Sequence, residues 1–272
     1  MTFKNKLAAV ALSTLLLAAC GTDNKKEKNE EQKAKDKTEQ VASEKKDDKK
    51  QEEKVTFKYE INPDTYQVVP MEGSDANDKV ALLTFDDAPD EYALDIAKKL
   101  HQLKAPAIFF VNGMYLDEEK GEEMLKEIDK LGFEIGNHTY THPELPSLSY
   151  EQQVDEIKKV NDRVEEIIGK RPRFIRPPFG MFDDNTQKIV DEEGMTIMNW
   201  TYGYDWEAEY QDGDALADIM VNTEFLAPGA NLLMHDRSWT LAAQEKIIAG
   251  LKEKGYEFVD PKTLISQRDM NN

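Results

Sequence analysis

The chain has 272 residues, a formal charge of −19, one cysteine and four histidines. A single cysteine excludes a disulfide within the chain, so stability has to come from a packed core. So acidic a chain repels phosphate polyanions, which excludes nucleic acid as a partner and leaves neutral polysaccharide open.

Residues 1–19 read as a lipoprotein signal peptide. Lys4 and Lys6 precede an apolar run from Leu7 to Ala19, which has the length and flanks of a secretory signal. It is short of the roughly 20 apolar residues that a spanning helix needs. Leu17-Ala18-Ala19-Cys20-Gly21 resembles the lipobox of bacterial lipoproteins. That implies a lipidated Cys20 and a protein anchored at the extracellular face of a bacterial cell membrane. Residues 20–54 read as a charged, disordered tether: from Thr22 to Lys54 there is no aromatic residue, and eleven lysines balance eleven acidic residues. Burial there cannot offset the entropy of ordering. Residues 55–272 hold 22 basic and 43 acidic residues, so the net charge of that part is −21.

Residues 55–272 suffice for one sizeable core. Val55 to Ile61, a turn at Asn62-Pro63-Asp64, and Tyr66 to Val69 predict a short N-terminal β-hairpin. Apolar runs then alternate with amphipathic stretches. Strands are expected at Val80 to Phe85, Ala107 to Val111, Phe133 to Gly136, Arg173 to Ile175, Thr196 to Trp200, Asn231 to Met234 and Tyr256 to Val259. Helices are expected at Asp90 to Leu103, Glu118 to Leu131, Tyr150 to Ile168, Asp184 to Glu193, Asp214 to Phe225 and Leu241 to Lys254. The alternation predicts an α/β fold, a distorted (β/α) barrel of about seven parallel strands, in one monomeric domain.

The reactive residues fall where these strands end: Asp86-Asp87 after the first, His138 after the third, Arg176 after the fourth, Asp205 after the fifth and His235 after the sixth. Parallel α/β folds gather their sites at that rim. Asp86-Asp87 alone would suit a helix N-cap. With two histidines from another loop, one of these carboxylates can complete a metal site. His138 and His142 are spaced for one helix face, but Thr139, Thr141 and Pro143 predict a turn. Arg176-Pro177-Pro178-Phe179-Gly180 is a stiff loop whose arginine can orient a carboxylate by paired hydrogen bonds.

In chain order, Thr84-Phe85-Asp86-Asp87, His138-Thr139-Tyr140-Thr141-His142, Arg176 to Gly180, Tyr202 to Trp206 and Leu233-Met234-His235 resemble the five motifs of the polysaccharide deacetylase family (NodB homology, carbohydrate esterase family 4). The resemblance covers Val80 to Val259 and implies a metal-dependent N-deacetylase acting on N-acetylhexosamine polymers, peptidoglycan N-acetylglucosamine being the nearest. By that likeness Asp87, His138 and His142 hold a divalent metal, zinc foremost. Asp86 is the base, held by Arg176, and His235 the acid, oriented by Asp205. The Phe179 backbone N–H meets the oxyanion, and Trp206 and Leu233 enclose the acetyl methyl. Two positions depart from the family: Ala88 stands where glycine is usual, its added methyl next to the metal expected to change the loop or narrow the entrance, and Tyr202 where an aspartate is frequent. An O-acetyl esterase and a non-catalytic carbohydrate-binding wall protein are the alternatives. The two-histidine, one-carboxylate set also suits non-haem iron oxygenases, whose fold and spacing differ.

Overall fold

The computed structural model describes residues 56–271, so the expected signal peptide, Cys20 and the tether lie outside the described residues. The hairpin forms as expected, with β1 (Tyr59–Ile61) antiparallel to β2 (Val68–Pro70). The large sheet and its helices follow in alternation: β3 (Val80–Ala88), α1 (Ala93–Leu103), β4 (Ala107–Val111), α2 (Glu119–Lys130), β5 (Glu134–Asn137), α3 (Tyr150–Ile168), β6 (Phe174–Ile175), α4 (Asp184–Glu192) and β7 (Thr196–Ile197). Then come β8 (Tyr202–Gly203), α5 (Gly213–Asn222), β9 (Ala230–His235), α6 (Ser238–Glu253), β10 (Glu257–Phe258) and α7 (Gln267–Met270).

The sheet runs β7-β6-β5-β4-β3-β9-β8, with β10 also on β3, and its pairings are parallel. The expected barrel of parallel strands is thus present, left open between β7 and β8. The stretch read as one strand, Thr196 to Trp200, ends early at Ile197, and β8 follows it as a separate two-residue strand before Asp205. Among the described residues no helix is long and apolar enough to cross a membrane.

Alternation along the strands separates two cores. Val80 and Leu82 of β3, Ile108 and Phe110 of β4, and Phe174 point into the curled sheet. There they meet Tyr59, Ile61 and Val68, so the hairpin plugs one end. Ala81, Leu83, Phe85, Phe109 and Val111 point outward, under α1, α2 and α6. Each fully buried large apolar side chain contributes about 1.5–3 kcal/mol. Helix ends are set locally. In α3, Ser149 and Gln152 form a capping box and Gly169 closes the helix with φ 70°, a value that suits glycine.

Candidate metal centre and acid–base pair

A cleft of about 620 Å3 opens at the C-terminal ends of the strands, lined by Asp86, Asp87, His138, His142, Phe179 and His235 among others. Five loops bring these groups together, as the motif order predicts. The structure adds the reason two successive aspartates share one cleft. Neighbouring residues of a regular strand point to opposite faces. Here β3 is irregular against β4 between Phe85 and Ala88, and Asp87 has φ 60°. This bulge returns Asp87 to the face that Asp86 already occupies.

Each aspartate has its own arginine. Arg176 is fully buried and donates from Nη1 to Asp86 Oδ1 at 2.8 Å and to Thr84 Oγ1 at 2.7 Å. The carbonyls of Met198 (2.9 Å) and Asn199 (3.0 Å) hold its other nitrogens, and the Phe110 ring lies 4.4 Å from its guanidinium carbon. Burial pushes its pKa down, with Asp86 opposing; a guanidinium nevertheless stays protonated. Arg237, which motif reading missed, donates from Nη2 to Asp87 Oδ2 at 2.8 Å. Burial pushes the Asp87 carboxyl up, but His235, His138, Arg237 and His142 outweigh it and hold the group below the ordinary carboxylate range.

His138 Nδ1 lies 2.6 Å from the Arg176 carbonyl oxygen. A carbonyl only accepts, so Nδ1 carries the proton and Nε2 keeps its lone pair. That Nε2 is 3.6 Å from Asp86 Oδ2 and 3.9 Å from Asp87 Oδ1. Burial depresses the His138 pKa and favours the neutral, ligating form. His142 Nε2 is 3.8 Å from the same Asp87 oxygen, and the donor atoms of Asp87, His138 and His142 all lie within 4.8 Å of one another. Ligands of a tetrahedral zinc stand roughly 3.3 Å apart, so the trio closes on such an ion with small movements. Two imidazoles and a carboxylate are a donor set for zinc or another first-row divalent ion, and the residues fit.

The ligand turn is not helical, as its threonines predict. Thr139 and His142 have φ 66° and 61°. Glu156 on α3 accepts from Tyr140 N, Thr141 N and Thr141 Oγ1 at 2.9, 2.8 and 2.7 Å. With Phe179 and Asp87, these are four of the six non-glycine residues with left-handed backbone among the described residues. Such strain concentrates where function requires it.

Across the cleft the β3–β9 register sets His235 beside Asp86. His235 Nδ1 is 2.7 Å from Asp205 Oδ1, and Asp205 Oδ2 accepts from His235 N (2.6 Å) and Thr240 Oγ1 (2.8 Å). Trp239 Nε1 donates to the Asp205 carbonyl at 2.8 Å. Burial pushes the His235 pKa down, but the Asp205 hydrogen bond and charge outweigh it, so the imidazole stays protonated to higher pH than usual. Trp206 meets the His235 ring edge-to-face at 5.7 Å, and Phe179 meets His142 at 4.9 Å. Leu233 is buried beside them. Trp200, Trp206 and Trp239, the chain's three tryptophans, all line the cleft.

The two departures from the family both lie away from the cleft wall. Ala88 packs with Leu83 and Phe85 in the outer core and is absent from the cleft wall, so its methyl does not crowd the ligands. Tyr202 is buried and donates its hydroxyl to the Met220 carbonyl at 2.8 Å. The role considered for the aspartate pair, capping the next helix, belongs to buried Asp236, whose carboxylate accepts from Asp90 N and Tyr92 N ahead of α1. Asp236 and Arg237 directly follow His235, and that adjacency was the available signal for both. His101 lies on α1 with Nδ1 3.2 Å from the Leu131 carbonyl, outside the cleft.

Fold and rim together define an open α/β barrel with a candidate mononuclear metal site between an arginine-held carboxylate and a carboxylate-held histidine. The chain belongs to the polysaccharide deacetylase family, which it matches over residues 73–213. It is 34% identical over 184 residues to a peptidoglycan-N-acetylglucosamine deacetylase of Bacillus cereus, the match spanning 65% of each chain. The solved Bc1960 peptidoglycan N-acetylglucosamine deacetylase superposes with a TM-score of 0.63 and 33% identity, covering 69% of this chain and 89% of that one. A family 4 pseudoenzyme from Bacillus anthracis superposes at 0.61 with 31% identity, covering 68% of this chain and 64% of that one.

Proposed function

We propose that this chain is a metal-dependent N-deacetylase of peptidoglycan N-acetylglucosamine, working at the outer face of the cell membrane. A pseudoenzyme shares the fold, so likeness alone does not carry turnover. The supporting observation is the assembled rim: a three-donor metal set, an arginine-held carboxylate and a carboxylate-held histidine in one cleft. The relatives named as peptidoglycan-N-acetylglucosamine deacetylases support the substrate. The surface location rests on the lipobox-like segment ending in Cys20.

Asp87 Oδ1 and the Nε2 atoms of His138 and His142 would hold the ion, zinc in this reading. When bound, it supplies Lewis-acid polarisation of the acetamide and lowers the pKa of water. Asp86 has one oxygen occupied by Arg176 and offers the other as the base that takes the water proton. The Phe179 backbone N–H donates to the oxyanion that develops on the acetyl carbonyl. His235, kept charged by Asp205, gives its Nε2 proton to the leaving nitrogen as the C–N bond breaks, yielding the free amine and acetate. Trp206 and Leu233 enclose the methyl. Because β3 and β9 are neighbours, base and acid flank the same carbon.

Acetate release from N-acetylated glycans, with and without chelator and added zinc, tests the reading. Wild type should release acetate, chelation should stop it, zinc should restore it, and Asp86→Ala should be inactive. No release from any glycan, or an Asp86→Ala variant equal to wild type, overturns it; release from O-acetylated glycans alone makes the chain an esterase. Replacing His142 should cost metal, whereas replacing His235 should leave metal bound and stop turnover.

A further inference from the structure

We infer that Arg237 is a positioning residue for the metal centre: it occupies one oxygen of Asp87, limits that carboxylate to single-point coordination and loosens the site's hold on its cation. The inference rests on the metal-centre reading above. Arg237 is the N-cap residue of α6, and its guanidinium is tied at both ends. Nη1 donates to the Asp236 carbonyl at 2.8 Å, and Nη2 to Asp87 Oδ2 at 2.8 Å. The other oxygen, Oδ1, is the one that faces His138 and His142, at 3.9 and 3.8 Å. The carboxylate is thus divided between two cations, one fixed and one exchangeable.

Arg237 is the one arginine or lysine among the residues lining the cleft. With Arg176 on Asp86 and Arg237 on Asp87, both carboxylates have a counter-charge before any ion arrives. A divalent ion on Oδ1 would sit one carboxylate away from the guanidinium. Asp87 is largely buried, so that repulsion is screened less than in water. It opposes, and outweighs, the small entropic gain from pre-locking one short side chain. A carboxylate shared with an arginine also transfers less charge to the ion, which leaves the ion the stronger Lewis acid. The arrangement trades tight retention of metal for a more electrophilic centre.

Zinc affinity, measured by competition with a chromophoric chelator for wild type, Arg237→Met, Arg237→Gln and Arg237→Lys, tests this without reference to turnover. Thermal melts confirm that each variant folds. The two neutral variants should bind zinc about tenfold tighter or more, the magnitude by which partners behind a ligand usually change affinity but of opposite sign, because this partner is a cation. Arg237→Lys, which keeps the charge, should stay within about threefold of wild type on the same scale. In the cobalt-loaded protein, visible absorption should weaken in Arg237→Met as Asp87 turns both oxygens to the ion and the coordination number rises. Neutral variants that bind zinc equally or more weakly, beside a wild type that binds it, overturn the role of the arginine alone. A wild type that binds no zinc overturns the metal-centre reading and this inference with it.

Discussion

Strand β6 is two residues long and has an arginine just beyond each end, and the two arginines serve opposite purposes. Arg176, at the cleft end, is fully enclosed, has one carboxylate partner, and has its pKa pushed down by burial. Arg173, at the other end, binds Glu134 at 3.1 Å, Asp269 at 2.9 Å and the carbonyls of Leu264 and Pro261 at 3.0 Å. Burial pushes its pKa down too, but Glu134 and Asp269 outweigh that and raise it. Arg173 fastens the C-terminal segment and α7 to the foot of the sheet, whereas Arg176 fixes the position of Asp86, the proposed general base. In a βα fold the base of the sheet carries stability and the rim carries chemistry, and one short strand here supplies a cation to each.

The largest expected effect breaks the rim and spares the base. His235→Gln should lower kcat by about 10²–10⁴, the range of general acid catalysis, while zinc content holds. A zinc content that falls with kcat would show that His235 serves the metal site and not proton transfer alone. Arg173→Ala should do the reverse. Breaking a largely buried pair, discounted for partial exposure, costs about 2 kcal/mol, or about 5 °C in Tm for a domain of this size. The kcat of the folded fraction should be unchanged.

The smallest effect lies in pH, and the two ends should fail on opposite sides. Asp269 and Glu193 sit below the ordinary carboxylate range. Burial raises both, but Ser266 and Arg173 outweigh it for Asp269, and Arg171 and Asn161 for Glu193. Their stabilisation is present above the unfolded carboxylate pKa and is lost as pH falls through the depressed values. His235 is raised, so its pair with Asp205 is fully stabilising below the ordinary imidazole pKa and is lost as pH rises through the raised one. Melting the metal-free protein across pH should show both edges. Arg173→Ala should flatten the acid edge and Asp205→Asn the alkaline one. Asp205→Asn should also move the alkaline limb of kcat to lower pH.

The rhythm of strands and helices was legible because burial imposes short apolar runs and amphipathic spacing along the chain. The rim residues Asp86, Asp87, His138, Arg176 and His235 were legible because each closes a strand in a family motif. Arg237, Asp236 and Glu156 were not, because their partners are set by tertiary pairing: Asp87 lies 150 residues before Arg237, and Glu156 reaches from a helix to a turn 15 and 16 residues earlier. The bulge in β3 leaves no mark in an apolar pattern, so the feature that turns Asp87 toward its ligand partners had to be seen in the fold. From the sequence, the Ala88 methyl beside Asp87 was expected to change the loop or narrow the entrance; the same bulge sends that methyl into the outer core, away from the entrance.

All three tryptophans of the chain stand on the walls of one cleft. The intrinsic fluorescence of the protein is therefore a local instrument rather than a global average. Trp206 touches the His235 ring and Trp239 is bonded to Asp205, so emission should respond to the charge of the imidazole and to a glycan laid across the indoles. No dye or label is needed to titrate a wall fragment against this cleft.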